Sequence, residues 1–127
     1  MITTMAKVFG VVFLLVGILG FIPGIAPDGH LLGIFHVNAA HNIVHLLTGA
    51  VALGVGCSSM RASRLFFQVF GIVYALVAVL GFVYGNQPIF GIIANNIADA
   101  WLHVVIACVA LYFGFVAKTI TPTPKMA

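Results

Sequence analysis

The sequence predicts an all-α membrane protein of four transmembrane helices, built as two repeated helical hairpins with both termini in the cytoplasm. The first observation behind this is composition. Of 127 residues, 63% are hydrophobic and 6% charged, with a mean hydropathy of +1.25. Five Lys/Arg and two Asp/Glu cannot give a body of 13.4 kDa the polar coat that water demands. The second observation is the spacing of the charges. Asp28 is the one charged residue between Lys7 and Arg61, and Asp99 the one between Arg64 and Lys118. Two long apolar blocks result, each sufficient for a hairpin at roughly 20 residues per span.

The third observation is internal repetition. At an offset of 61 positions, Phe9, Gly10, Leu19, Gly20, Phe21 and Gly24 meet Phe70, Gly71, Leu80, Gly81, Phe82 and Gly85. At an offset of 58, Gly33, Ile34, Asn38 and His45 meet Gly91, Ile92, Asn96 and His103, while His41 meets Asp99. The change of offset marks a shorter loop in the second copy, where length changes are tolerated. Two hairpins of like orientation form a parallel repeat about an axis along the membrane normal.

The elements follow in order. The first block breaks at Pro23-Gly24-Ile25-Ala26-Pro27-Asp28-Gly29 and the second at Gly85-Asn86-Gln87-Pro88, runs that cannot continue a helix. Spans are expected at about 6–23, 31–56, 65–84 and 89–117, with a polar tail at 119–127. The repeats cover about 6–56 and 65–117 of one bundle over 1–127. Lys7, Arg61, Arg64, Lys118 and Lys125 fall on one side of this topology, which puts both termini in the cytoplasm by the positive-inside rule. A cleaved signal peptide is disfavoured, because no Ala-x-Ala site precedes the first turn.

Several function classes drop out. The pI is about 9.2, yet the basic residues form no stripe interleaved with aromatics, so nucleic acid is not an expected partner. Cys57 and Cys108 fall at different depths and are expected to stay unpaired. The Gly54-x-Gly56 pair opens no helix after a strand, so it holds no phosphate.

The chemistry concentrates in spans two and four. Asn38, His41, Asn42, His45 and Thr48 share one helix face, as do Asn95, Asn96, Asp99 and His103. Such stripes face each other rather than lipid, because a strongly polar side chain at the bilayer centre costs on the order of 2.5–3.5 kcal/mol. With helix starts near 31 and 89, His41, His45, Asp99 and His103 are expected near mid-bilayer. Their two i, i+4 pairs could surround one divalent transition metal. Zinc fits this donor set best, with copper or iron next. Asn38, Asn42 and Asn96, one turn away, are expected to orient the imidazoles.

Spans one and three carry Gly10, Gly17, Gly20 and Gly24, and Gly71, Ala75, Ala78 and Gly81, small surfaces that suit close helix packing. His30 and His36 read as interfacial histidines at the outer end of span two. Trp101, Tyr74, Tyr84 and Tyr112 read as packing or interface anchors.

The run Gly-Ile-Phe-x-Val-Asn-x-x-His-Asn-Ile-Val-His from Gly33, together with Asn96-x-x-Asp99-x-x-x-His103, resembles a family of small bacterial four-helix membrane proteins classed only as a domain of unknown function. The resemblance extends over roughly residues 8–116 through Gly33, Asn38, His41, Asn42, His45, Asn96, Asp99 and His103. It implies the four-span fold and a bacterial inner membrane, and supplies no activity.

Two other readings compete with the metal. Haem or another tetrapyrrole could be held by His45 and His103, the equivalent positions of the two copies, although this leaves His41 and Asp99 without a role. Alternatively the polar cluster serves only helix packing, at about 0.6–2 kcal/mol per bond, in an accessory subunit of a larger membrane complex or a homo-oligomer. Proton relay or transport ranks below these, since nothing resembles a broken helix. Four protein donors would close the metal to substrate, and no spare carboxylate serves as acid or base. The residues therefore favour a binding or structural protein over an enzyme.

Overall fold

Four helices set the architecture of the computed structural model, which describes residues 1–118. Lys125 and the polar tail expected at 119–127 lie outside the described residues. Helix α1 runs Ile2–Leu19, α2 Ala39–Gly56, α3 Met60–Tyr84 and α4 Ile97–Leu111, the last extended by a π-helical turn at Tyr112–Val116. All four spans are long and apolar enough to cross a membrane. Exposed Leu15, Leu47, Leu76 and Val105 give the bundle the exterior of a body solvated by lipid.

Spans two and four begin later than the sequence suggested. Ahead of α2 lies a 3-10 turn at Pro27–Gly29 and a small antiparallel hairpin of β1 (His30–Leu31) and β2 (Phe35–His36). Ahead of α4, Ile89 and Ile93 form an isolated antiparallel bridge. Both segments bend through the same device. Leu32 and Gly33 have φ of 55° and 73°, and Phe90 and Gly91 have 52° and 71°, the positive values that mirror-image hairpin turns require. The Ile34 and Ile92 N–H groups close these turns by donating to the Leu31 and Ile89 carbonyls at 3.1 Å. The apolar runs 31–37 and 89–93 carry the hydropathy of a span, but their left-handed turns exclude continuous helix.

Each of α2 and α4 begins at an asparagine. Asn38 and Asn96 are extended N-caps whose Oδ1 atoms accept from the His41 and Asp99 N–H groups, each at 2.9 Å. Their Nδ2 atoms cross to the opposite loop, Asn38 donating to the Ile92 carbonyl at 2.9 Å and Asn96 to the Ile34 carbonyl at 2.8 Å. This reciprocal exchange ties the two pre-helical loops together. Asn95 completes the second loop by donating from Nδ2 to the Gly81 and Gly85 carbonyls at 3.0 and 2.7 Å, giving the Gly85 carbonyl just past α3 a partner.

Helices pack chiefly as α1 on α2 and α3 on α4. The first pair meets through glycine: a Cβ on Gly10 would lie 2.7 Å from the Leu53 nitrogen, and one on Gly49 2.8 Å from the Leu14 nitrogen. Backbones this close leave no room for a side chain, the packing that lipid-embedded helices use without a hydrophobic drive. At the end holding Met1 and Lys118, Ile2, Ala6, Ala52, Phe66, Phe67 and Ala110 form a core flanked by Phe9, Phe70 and Phe113. The π-helical turn there exposes the Gly114 carbonyl, which accepts from Arg64 Nη1 at 3.1 Å and Gln68 Nε2 at 2.9 Å, while Arg64 Nη2 donates to the Ala117 carbonyl. Arg64 thus closes a helix end as well as carrying charge. Cys57 and Cys108 are both free, as their spacing implied.

Gly49→Val should separate α1 from α2 and lower stability by about 1–3 kcal/mol. At Gly54 a Cβ meets nothing within 4 Å, so Gly54→Ala should leave stability unchanged or raise it by up to about 1 kcal/mol. Equilibrium unfolding of the two variants in one detergent compares these outcomes.

Candidate metal centre

His41, His45 and His103 converge. One ligand nitrogen from each ring lies within 4.8 Å of the others, and the ring centroids are 4.5 Å (His41 to His45), 5.8 Å (His41 to His103) and 6.3 Å (His45 to His103) apart. Each residue is 3% exposed. Helix α2 supplies the first two from successive turns of one face, and α4 supplies the third. The Phe13 ring stands edge-on to His45 at 5.4 Å and Tyr74 lies 5.6 Å from His103, so aromatic walls fix both rings.

Because α2 starts at Ala39, His45 lies about 9 Å along its own helix, but the cluster packs against Phe13 and Tyr74, which sit close to the middles of α1 and α3. The two pre-helical segments roof the cluster from the hairpin-loop side.

Hydrogen bonding fixes the first imidazole's tautomer. His41 Nδ1 approaches the His36 carbonyl at 3.1 Å and the Ala94 carbonyl at 2.9 Å. Carbonyls only accept, so Nδ1 carries the proton and Nε2 holds a lone pair. His45 Nδ1 and His103 Nδ1 are buried with no hydrogen-bond partner. The centre therefore holds buried imidazole nitrogens without partners, an unfavourable state for polar groups, which a cation bound to their lone pairs would relieve.

Asp99 is not among the converging groups. Its Oδ2 accepts from its own helix start, the Asn96 N–H at 2.9 Å, and from the His36 N–H at 3.1 Å. The first bond, with Asn96 capping the Asp99 N–H, makes a reciprocal capping box. The second joins Asp99 to the histidines indirectly, since the His36 peptide that donates to Asp99 also accepts from His41. His36, read from sequence as interfacial, thus serves through its backbone, for which a sequence carries no side-chain signal. Its ring stacks on His30 at 4.8 Å.

The asparagines expected to orient the imidazoles act elsewhere. Asn38 and Asn96 bond to backbone and to the facing loop. Asn42 is buried against α1 over Gly20, with its Oδ1 unpartnered. Below the cluster, Thr48 donates to the Val44 carbonyl at 2.8 Å, which leaves the Tyr74 hydroxyl to donate to Thr48 at 3.0 Å.

A cavity of about 210 Å³ adjoins the three rings, walled by Val44, Val73, Val77, Leu80, Ile93 and Tyr74 among others. It lies between α2 and α3, whose mutual packing is slight, so its apolar wall continues onto the lipid-facing surface at Val44 and Val73.

The family described as a domain of unknown function (DUF4383) matches residues 3–116, and the chain belongs to it. No curated protein and no solved structure matches the chain.

Asn38→Ala and Asn96→Ala should each cost about 1–2 kcal/mol through the lost cap and its cross-loop bond. Because both bonds hold the same pair of loops, the double variant should depart from additivity by about 0.5 kcal/mol or more. A double-mutant cycle in detergent measures this, and strict additivity would mean the two loops are not coupled.

Proposed function

We propose that this multi-pass membrane protein binds one divalent transition metal through His41, His45 and His103. The observation carrying the reading is the buried meeting of three imidazoles with His45 Nδ1 and His103 Nδ1 unpartnered. Three neutral imidazoles suit zinc, with copper or iron next. In this reading Asp99 supports the centre from one step away. It holds the His36 peptide, which fixes His41 with Nδ1 protonated and Nε2 free, the usual arrangement around a metal-bound histidine. Asn38 and Asn96 hold the roof, and Asn42 seats α2 against α1.

Three protein ligands leave a tetrahedral ion one position for another molecule. That separates this reading from a closed four-donor site and leaves both binding and catalytic roles available. The matched stations at Leu32 and Phe90, and at Asn38 and Asn96, support two repeated hairpins. On charge placement, the termini face the cytoplasm of a bacterial inner membrane and the histidines lie toward the opposite leaflet. Surrounding lipids are the immediate partners, and the apolar exterior also suits a homo-oligomer or a larger membrane complex.

Haem ligation by His45 and His103 is weaker. The third imidazole crowds both rings, and the adjoining 210 Å³ is little more than the roughly 150 Å³ that houses a single benzene.

Metal analysis and an absorption spectrum of protein purified in detergent test the reading. One zinc, copper or iron per chain is expected, lost in His45→Ala and in His103→Ala. Asp99→Asn should keep the stoichiometry and weaken affinity about 10- to 100-fold, as changes to groups behind a ligand do. A Soret band would establish the tetrapyrrole instead. No metal after incubation with all three ions would leave the cluster as a packing device.

Affinity should also fall as the medium is acidified. A proton on imidazole takes the lone pair the metal needs, so binding is strongest where the histidines are neutral and weakens as pH drops. Titrations of metal at several pH values on reconstituted protein check the sign.

A further inference from the structure

We infer that the metal's remaining position takes the carboxylate of a single-chain fatty acid, which enters from the bilayer between α2 and α3. This rests on the three-histidine reading above, and two observations extend it.

The first is charge. Neutral imidazoles cancel none of a divalent ion's charge, and a net charge buried in an apolar setting is strongly disfavoured unless paired. Among the described residues the acidic groups are Asp28 and Asp99. Asp28 lies in the loop before β1, and Asp99 Oδ2 is engaged by two backbone N–H groups. The fourth ligand is thus best supplied as an anion from outside the cluster.

The second observation is the route. The cavity touching His41, His45 and His103 is otherwise walled by valine, leucine, isoleucine and phenylalanine side chains with Tyr74 and Thr48. Two of its walls, Val44 and Val73, are exposed on the lipid-facing surface. A polar anion drawn from water gains nothing from such walls. An acyl chain already in the bilayer enters them without loss, since such walls are as apolar as lipid, and it carries its carboxylate to the ion. Head and tail requirements are met together by a long-chain carboxylate lying with its chain among the lipids.

Cobalt(II) provides the probe, since its visible bands report a change of ligand at a three-histidine site. Protein loaded with cobalt in a non-ionic detergent is titrated with decanoate, acetate and decanol. Decanoate should shift the bands at a free aqueous concentration on the order of 50-fold below that of acetate, the gain from taking about three methylenes out of water. Decanol, which has the chain without the charge, should leave the bands unmoved at the same concentrations. Val77→Phe, which fills the cavity, should cut the decanoate preference towards that of acetate while leaving cobalt bound.

Absence of cobalt binding would overturn the three-histidine reading itself. Cobalt bands that respond to acetate and decanoate alike, or to pH and neither acid, would overturn the fatty-acid inference while leaving the metal centre intact. An unchanged decanoate preference in folded Val77→Phe would also overturn it. If that variant does not fold, the acetate, decanoate and decanol series on the native chain still decides.

Discussion

Backbone polar groups in an apolar medium have no water to bond with, and the structure depends on how this is resolved where α2 and α4 begin. Inside the helices the ladder suffices. Ahead of them, residues 30–38 and 89–96 run as hairpin and bridge, and their remaining donors and acceptors must find one another. Asn38 and Asn96 meet this need twice, capping their own helices and bonding to the opposite loop. His41 Nδ1 and Asp99 Oδ2 take up much of what is left. The histidine cluster is built on this same set of bonds, so the roof that makes the loops compatible with lipid also fixes an imidazole.

Positions 41 and 99 show how one backbone station serves two ends. Each is three residues past a capping asparagine, and each side chain turns back to the loop. Asp99 accepts N–H groups there, whereas His41 donates to carbonyls. The carboxylate is thereby occupied in closing the loop, while the imidazole closes it with one nitrogen and keeps the other. Partnering with His45 and His103 makes the second nitrogen useful.

Much of this was legible in the sequence, and for physical reasons. Hydropathy and charge spacing located four spans, because lipid selects for long apolar runs. Helical periodicity placed His41 and His45 together, and the repeat set His103 opposite. The starts of α2 and α4 were not legible from hydropathy, since Leu31 to Val37 and Ile89 to Ile93 are as apolar as a span. Their signals were local: Gly33 and Gly91 beyond left-handed residues, and asparagine at both caps. Asn96-x-x-Asp99 is a capping-box pattern, but the same spacing puts Asp99 on the histidine face and makes it resemble a ligand. The part played by the His36 peptide lies wholly in its backbone.

The phenylalanine core at the end bearing Met1 and Lys118 also shapes the routes to the histidines. Phe9, Phe66, Phe67, Phe70 and Phe113 interlock there by stacked and edge-on contacts, and the buried polar groups of the histidine end stop at Thr48 and Tyr74. Within the described bundle this hydrocarbon layer separates the imidazoles from the Arg64 and Gln68 side chains at the other end. The spaces that touch the imidazoles open sideways between helices, on the α2/α3 and the α1/α4 flanks, so the bundle resembles a wall with side windows more than an axial conduit.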